Sequence, residues 1–201
     1  TGDLVPGSED NDAEKSRLDS LAADTKMWVK NQGWKDAENT FPESSQRTKT
    51  LHYRQDNVHD FAWFTDKRYK VLRGTVVLPR DKRKVTTWAM FTPEEGELWQ
   101  KAPEYLHDAT YYYSLWNGNY PYNQVTAVDG TISAGGGMEY PNVTVIGTAG
   151  SDSGLETVIV HEVGHNWFYG ILGSNERENA WMDEGINSFN ETRYLLTKNG
   201  E

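Results

Sequence analysis

The sequence predicts an α+β fold: a mixed sheet followed by two helices, with β segments and a linker ahead of it. Short β-branched and aromatic runs bounded by Gly, Pro and Asn recur between residues 51 and 146. Stretches near 93–116, 155–172 and 181–196 place apolar residues at helical spacing. The 201 residues, 36% hydrophobic with eight Trp and eleven Tyr, suffice for one ordinary core and part of a second domain.

Taken in order, residues 1–12 are polar and acidic and read as a mobile lead-in. Leu18, Leu21, Ala22, Met27, Trp28 and Val29 predict an amphipathic helix from Asp12 to Lys30, stopped by Gly33. Residues 31–50 have few apolar anchors and read as a linker. Residues 51–54, 61–64, 71–78 and 85–91 read as strands, the last two joined by the charged turn 80–84. His52 and His59 have no carboxylate at metal-ligand spacing and are read as structural. Thr92, Pro93, Glu94 and Glu95 open one long helix, with Thr92 as cap and Pro93 at the first position, running to Asn117-Gly118. Gln124–Val128 and Val143–Ile146 are strands flanking a Gly-rich approach to Met138-Glu139-Tyr140-Pro141. Asn142-Val143-Thr144 and Asn190-Glu191-Thr192 match a glycosylation sequon, and both are discounted.

Composition excludes several functions. The charge of −10 argues against nucleic acid or anionic lipid as the main partner, because phosphate recognition needs a basic surface. Without cysteine there is no disulfide framework and no thiolate metal site, so a metal must sit on His and carboxylates. No apolar run is long enough to span a membrane. Thr1-Gly2-Asp3 reads as an interior cut, and the compartment is left open.

The chemistry concentrates in His161-Glu162-Val163-Gly164-His165. On a helix, residues i and i+4 share a face, so both imidazoles can reach one metal ion, with Glu162 beside them to act on a water. Chance alone gives such a pattern at roughly one in a hundred for this composition, so context matters. Val158-Ile159-Val160 before it and Trp167-Phe168 after it predict a helix with a buried flank. A catalytic zinc takes three protein ligands and keeps one position open. Metzincin spacing would need Gly at 168 and His at 171, where this chain has Phe168 and Ile171. The third ligand is therefore expected from the next helix, as Glu184 in Trp181-Met182-Asp183-Glu184-Gly185. Two neutral imidazoles and one carboxylate leave such a site near +1, enough to bring its water to a pKa of about 7. Glu162 is expected to take a proton from that water as it attacks a carbonyl, then pass it to the leaving amine.

His161-Glu162-x-x-His165 with eighteen residues before Glu184 resembles the gluzincin arrangement. Trp167-Phe168-Tyr169-Gly170 and Trp181-x-x-Glu184-Gly185 resemble the M1 aminopeptidase family, as does Gly136-Gly137-Met138-Glu139-Tyr140, which is similar to that family's exopeptidase motif. The Gly-Gly-Met-Glu-Tyr-Pro form resembles the bacterial branch, leaving the cell envelope, periplasm and cytoplasm all open. The resemblance covers roughly residues 50–201, most firmly 124–194. It implies a thermolysin-like (gluzincin) catalytic domain with one zinc ion and a peptide substrate with a free N-terminus. It also implies that Glu139 binds the substrate's α-amine and that the backbone of Gly136 and Gly137 holds the peptide. Tyr140 stands where the usual motif has Asn and receives no role. The family's transition-state tyrosine lies beyond the second-helix Glu, and no tyrosine here matches it.

The resemblance thus implies a fragment. Residues 1–84 would be the C-terminal part of an N-terminal β domain plus a linker helix and loop. Residues 85–201 would be the first part of the catalytic domain, with little or no activity alone. Two other readings stand beside the aminopeptidase: a gluzincin endopeptidase, for which Glu139 would be incidental, and a non-catalytic zinc-binding module.

Overall fold

A computed structural model describes residues 1–132 and 136–200. Part of the Gly-rich approach to Met138 lies outside the described residues. A five-stranded mixed sheet has the order β3-β4-β5-β7-β6. Its strands are β3 (Lys70–Val77), β4 (Lys84–Phe91), β5 (Gln124–Asp129), β6 (Gly137–Tyr140) and β7 (Val143–Ile146). β3 and β4 form an antiparallel hairpin, β4 to β5 and β5 to β7 run parallel, and β6 closes the order antiparallel to β7. Because the hairpin spans residues 84 and 85, the sheet draws on both sides of the expected division there.

The parallel β4–β5 step needs a crossover, supplied by α2 (Gly96–Trp99) and α3 (Ala102–Asn117). The single long helix expected from Thr92 is not formed. A 3-10 turn at Pro93–Glu95 and a break at residues 100–101 divide it. Pro103 near the start of α3 lacks an N–H and so suits a helix beginning rather than an interior. Thr92 does not cap, because its hydroxyl and N–H both donate to Asp129 Oδ2, at 2.5 and 3.0 Å.

The main core packs α3 and α4 (Asp152–Gly164) against the sheet, with Trp99, Tyr113, Tyr120 and Trp167 fully buried. A smaller cluster joins Val128, Val143 and Val145 to Phe64, Tyr69, Met138 and Tyr140. Residues 61–64 do not form the expected strand. They alternate all the same, Ala62 and Phe64 turned inward while Phe61 and Trp63 are exposed.

The N-terminal segment is anchored rather than mobile. β1 (Asp3–Leu4) pairs with β2 (Tyr53–Arg54), and α1 (Glu9–Lys30) starts earlier than expected, on the Ser8 hydroxyl. Polar bonds do this work. Asn142, fully buried at φ +55°, accepts from Gly2 N at 2.8 Å and Gln124 Nε2 at 2.6 Å. Its amide donates to Gln55 Oε1 at 3.0 Å, and its N–H to Asn166 Oδ1, also at 3.0 Å. No helix among the described residues is long and apolar enough to cross a membrane.

α4 also departs from expectation. It ends at Gly164 instead of continuing to Leu172. Beyond it the N–H groups of Gly170, Ile171 and Leu172 donate to the carbonyls of His165, Asn166 and Trp167, five residues back. The apolar run Trp167-Phe168-Tyr169 falls within the helical spacing read over 155–172 but follows this wider winding, with Tyr169 at φ +118°. α5 (Glu184–Asn199) follows a 3-10 turn at Ala180–Met182 and packs beside α4.

Candidate metal centre

α4 begins on the Ser151 hydroxyl, which accepts from Gly154 N at 3.1 Å. It buries Leu155, Ile159, Val160 and Val163, and His161 and His165 emerge one turn apart toward α5. Asp183 caps α5 by accepting from Glu184 N at 2.9 Å, which sets Glu184 as its first residue. Three donor atoms converge there. The two imidazole Nε2 atoms lie 3.1 Å apart, and Glu184 Oε2 is 3.1 Å from His161 Nε2 and 3.7 Å from His165 Nε2.

The opposite ring nitrogens are also engaged. His161 Nδ1 donates to Glu191 Oε2 at 2.8 Å, and His165 Nδ1 donates to the Phe168 carbonyl at 3.0 Å. Glu191 lies seven residues after Glu184, two turns along the same face of α5. Between them Asn187 donates to the His161 carbonyl at 2.7 Å, and farther on Tyr194 donates to Glu156 at 2.7 Å. The seam between α4 and α5 is therefore a polar ladder. Neither Glu191 nor the Phe168 carbonyl was singled out from sequence. The signal for Glu191 was its i+7 spacing from Glu184.

With each Nδ1 hydrogen committed outward, both Nε2 lone pairs face each other and a carboxylate oxygen. Such atoms repel unless a proton or metal cation lies among them. Zinc bonds of about 2.0–2.2 Å give tetrahedral edges of roughly 3.3–3.5 Å, which fall within the observed 3.1–3.7 Å range. Two imidazoles and a carboxylate are also a donor set that zinc takes, so the residues fit that ion.

The electrostatics agree. Burial acts to lower His161, but its bond to Glu191 and the charges of Glu162, Glu184 and Glu191 outweigh this and raise it to about 9. Burial, then the charge of Glu139, pushes Glu162 up to about 8. Burial is also the main cause raising Glu139 to about 7, and it lowers His165. Among the described residues, buried Glu162 Oε2 has no hydrogen-bond partner. The cluster is short of positive charge.

Glu139 is buried on β6, with Oε1 4.0 Å from His165 Nδ1. Donor atoms of Glu139, Glu162 and His165 all lie within 4.8 Å of one another, as do those of Glu139, Glu176 and Asp183. Gly136 has φ +69°. Gly137 lies directly against Glu162, and a Cβ there would overlap that carboxylate. The structure thus brings all the sequence-predicted site residues to one end of α4, at the β6 side of the sheet.

No family model and no curated protein sequence matches the chain. Solved structures do match. Legionella pneumophila aminopeptidase A, in complex with aspartic acid, has a TM-score of 0.54 at 15% identity, covering 65% of this chain and 17% of that one. A two-domain M1 zinc metallopeptidase bound to L-arginine has a TM-score of 0.47 at 19% identity, covering 65% and 29%. An M1 zinc metallopeptidase from Deinococcus radiodurans has 0.46 at 19%, covering 65% and 30%. This chain therefore spans less than a third of those chains, and the likeness to the Legionella aminopeptidase is one of fold.

Proposed function

We propose that this chain carries the zinc-binding and proton-transfer part of a metallo-aminopeptidase site. The convergence of His161, His165 and Glu184, with Glu162 and Glu139 buried beside them, is the observation that supports this reading most. His161 Nε2, His165 Nε2 and a Glu184 oxygen would hold the ion. Glu191 and the Phe168 carbonyl keep the imidazoles turned toward it. Zinc, when bound, supplies Lewis acidity that polarises a carbonyl and makes water a stronger acid.

Glu162 takes the proton from the attacking water and returns it to the leaving amine nitrogen. Its burial beside Glu139 raises its proton affinity toward neutral pH, which suits a group that must both accept and donate. Glu139 pairs with the substrate's α-ammonium, placing the first peptide bond at the reacting centre. The backbone of Gly136 and Gly137, at the start of β6 on the edge of the sheet, holds the peptide in extended form.

Peptides with free and N-acetylated termini distinguish this from an endopeptidase. The zinc-loaded chain is expected to bind the free form at least about tenfold tighter, about 1.4 kcal/mol. Any hydrolysis should vanish in Glu162→Gln. Equal binding of the two peptides would refute the aminopeptidase assignment and favour a gluzincin endopeptidase.

A further inference from the structure

Tyr169 occupies a conformation that residues bearing a Cβ rarely adopt, φ +118°, within the wide turn that follows α4. Such a backbone persists only where its surroundings over-determine it. Here two consecutive residues from more than a hundred positions earlier hold it. His59 Nε2 donates to the Tyr169 carbonyl at 2.9 Å, and the two rings meet edge-on with centroids 4.3 Å apart. The Tyr169 phenol, on a buried ring, donates to Asp60.

The peptide plane between residues 168 and 169 carries the Phe168 carbonyl, and φ of Tyr169 sets how that plane is turned. The same carbonyl accepts from His165 Nδ1 at 3.0 Å. We propose that His59, Asp60 and Tyr169 form a clamp that holds the Phe168 carbonyl against His165, making Tyr169 a positioning residue for the metal centre. The segment before the sheet thereby reaches the site without touching it. Only the zinc-affinity part of this proposal rests on the function proposed above.

Tyr169→Phe removes the phenol bond and keeps the ring against His59. Asp60→Ala removes the same bond from a half-exposed partner, and Asp60→Asn restores an acceptor. Two quantities are read for each: zinc affinity, by competition with a chromophoric chelator, and exchange of the His165 Nδ1 proton by NMR of the metal-free chain. Tyr169→Phe and Asp60→Ala should each weaken zinc about 3- to 10-fold, less than the roughly 10- to 100-fold typical of a direct outer partner. The double variant should be no weaker than either single one, since both remove one bond, and Asp60→Asn should recover most of the loss. Proton exchange at His165 should quicken at least about tenfold in both single variants.

Unchanged affinity and unchanged exchange, with only thermal stability lowered, would overturn the clamp, as would additive losses in the double variant. If the parent chain takes up no zinc, the functional reading fails instead. The exchange measurement on the metal-free chain then decides the clamp by itself, unchanged exchange refuting it.

Discussion

Gly164, an interior position of the His161–His165 motif, lies tightly against Asn187 of α5 and Tyr113 of α3. A Cβ at Gly164 would overlap Asn187 Oδ1 and lie 2.5 and 2.8 Å from Cε1 and Cζ of Tyr113. Neither neighbour can withdraw freely. Tyr113 is fully buried beside Trp167, and Asn187 is tied to the His161 carbonyl at 2.7 Å. Gly164→Ala gains up to about 1 kcal/mol of helix propensity. Against this stand about 1–3 kcal/mol of overpacking and about 0.5–1.5 kcal/mol if the Asn187 bond is lost. A net loss of about 2 kcal/mol follows, lowering Tm by roughly 4–8 °C in a chain of this size. The shift of α5 should also weaken zinc binding, because Glu184 and Glu191 ride on that helix. Thermal unfolding by circular dichroism checks the first effect and chelator competition the second. A variant as stable as the parent, as propensity alone would give, would refute the close approach.

Other substitutions probe separate parts of the structure. Glu191→Ala should weaken zinc about 10- to 100-fold by freeing the His161 ring, measured by the same competition, with Glu191→Gln intermediate. Asn142→Ala strands the buried donors of Gly2 and Gln124 and places Ala at positive φ. It should cost about 3 kcal/mol, a Tm drop of roughly 6–12 °C, and expose residues 1–5 to proteolysis. The hydrogen bond from Arg17 is the main cause holding Glu14 below the usual carboxylate range, with Lys49 adding to it. This depressed folded value means the ion pair stabilises above the unfolded pKa and is lost as pH falls through the folded one. Glu14→Gln should therefore lower Tm at pH 7 by a few degrees, with the difference closing in acid below about pH 4.

Much of the sheet was legible because its strands are local patterns. Val71–Leu78 and Val85–Phe91 announce a hairpin by β-branched residues around a charged turn, and the observed pairing follows it. The placement of His161 and His165 was legible for the same reason, since residues four apart on a helix share a face, with Glu162 beside them. What escaped the sequence depends on distant partners. Residues 1–12 lack apolar periodicity and look mobile, yet Asn11 and Asn142 hold that end through hydrogen bonds that no spacing reveals. Trp167-Phe168-Tyr169 continues the apolar spacing of α4, but Tyr169 is held off the helical path by His59 and Asp60. His59 is hydrogen-bonded as a structural histidine should be, but its partner, the Tyr169 carbonyl, is 110 residues away and no local spacing reveals it.

Zinc stoichiometry across four chains tests whether His161, His165 and Glu184 hold one metal ion with Glu162 outside the ligand set. The parent and Glu162→Gln should each bind one zinc ion per chain with similar affinity, because Glu162 lies beside the ligand set and not within it. His165→Ala and Glu184→Ala should each weaken binding at least about a hundredfold. Full zinc retention in either of those two variants, or loss of zinc in Glu162→Gln with its fold intact, would contradict the assignment.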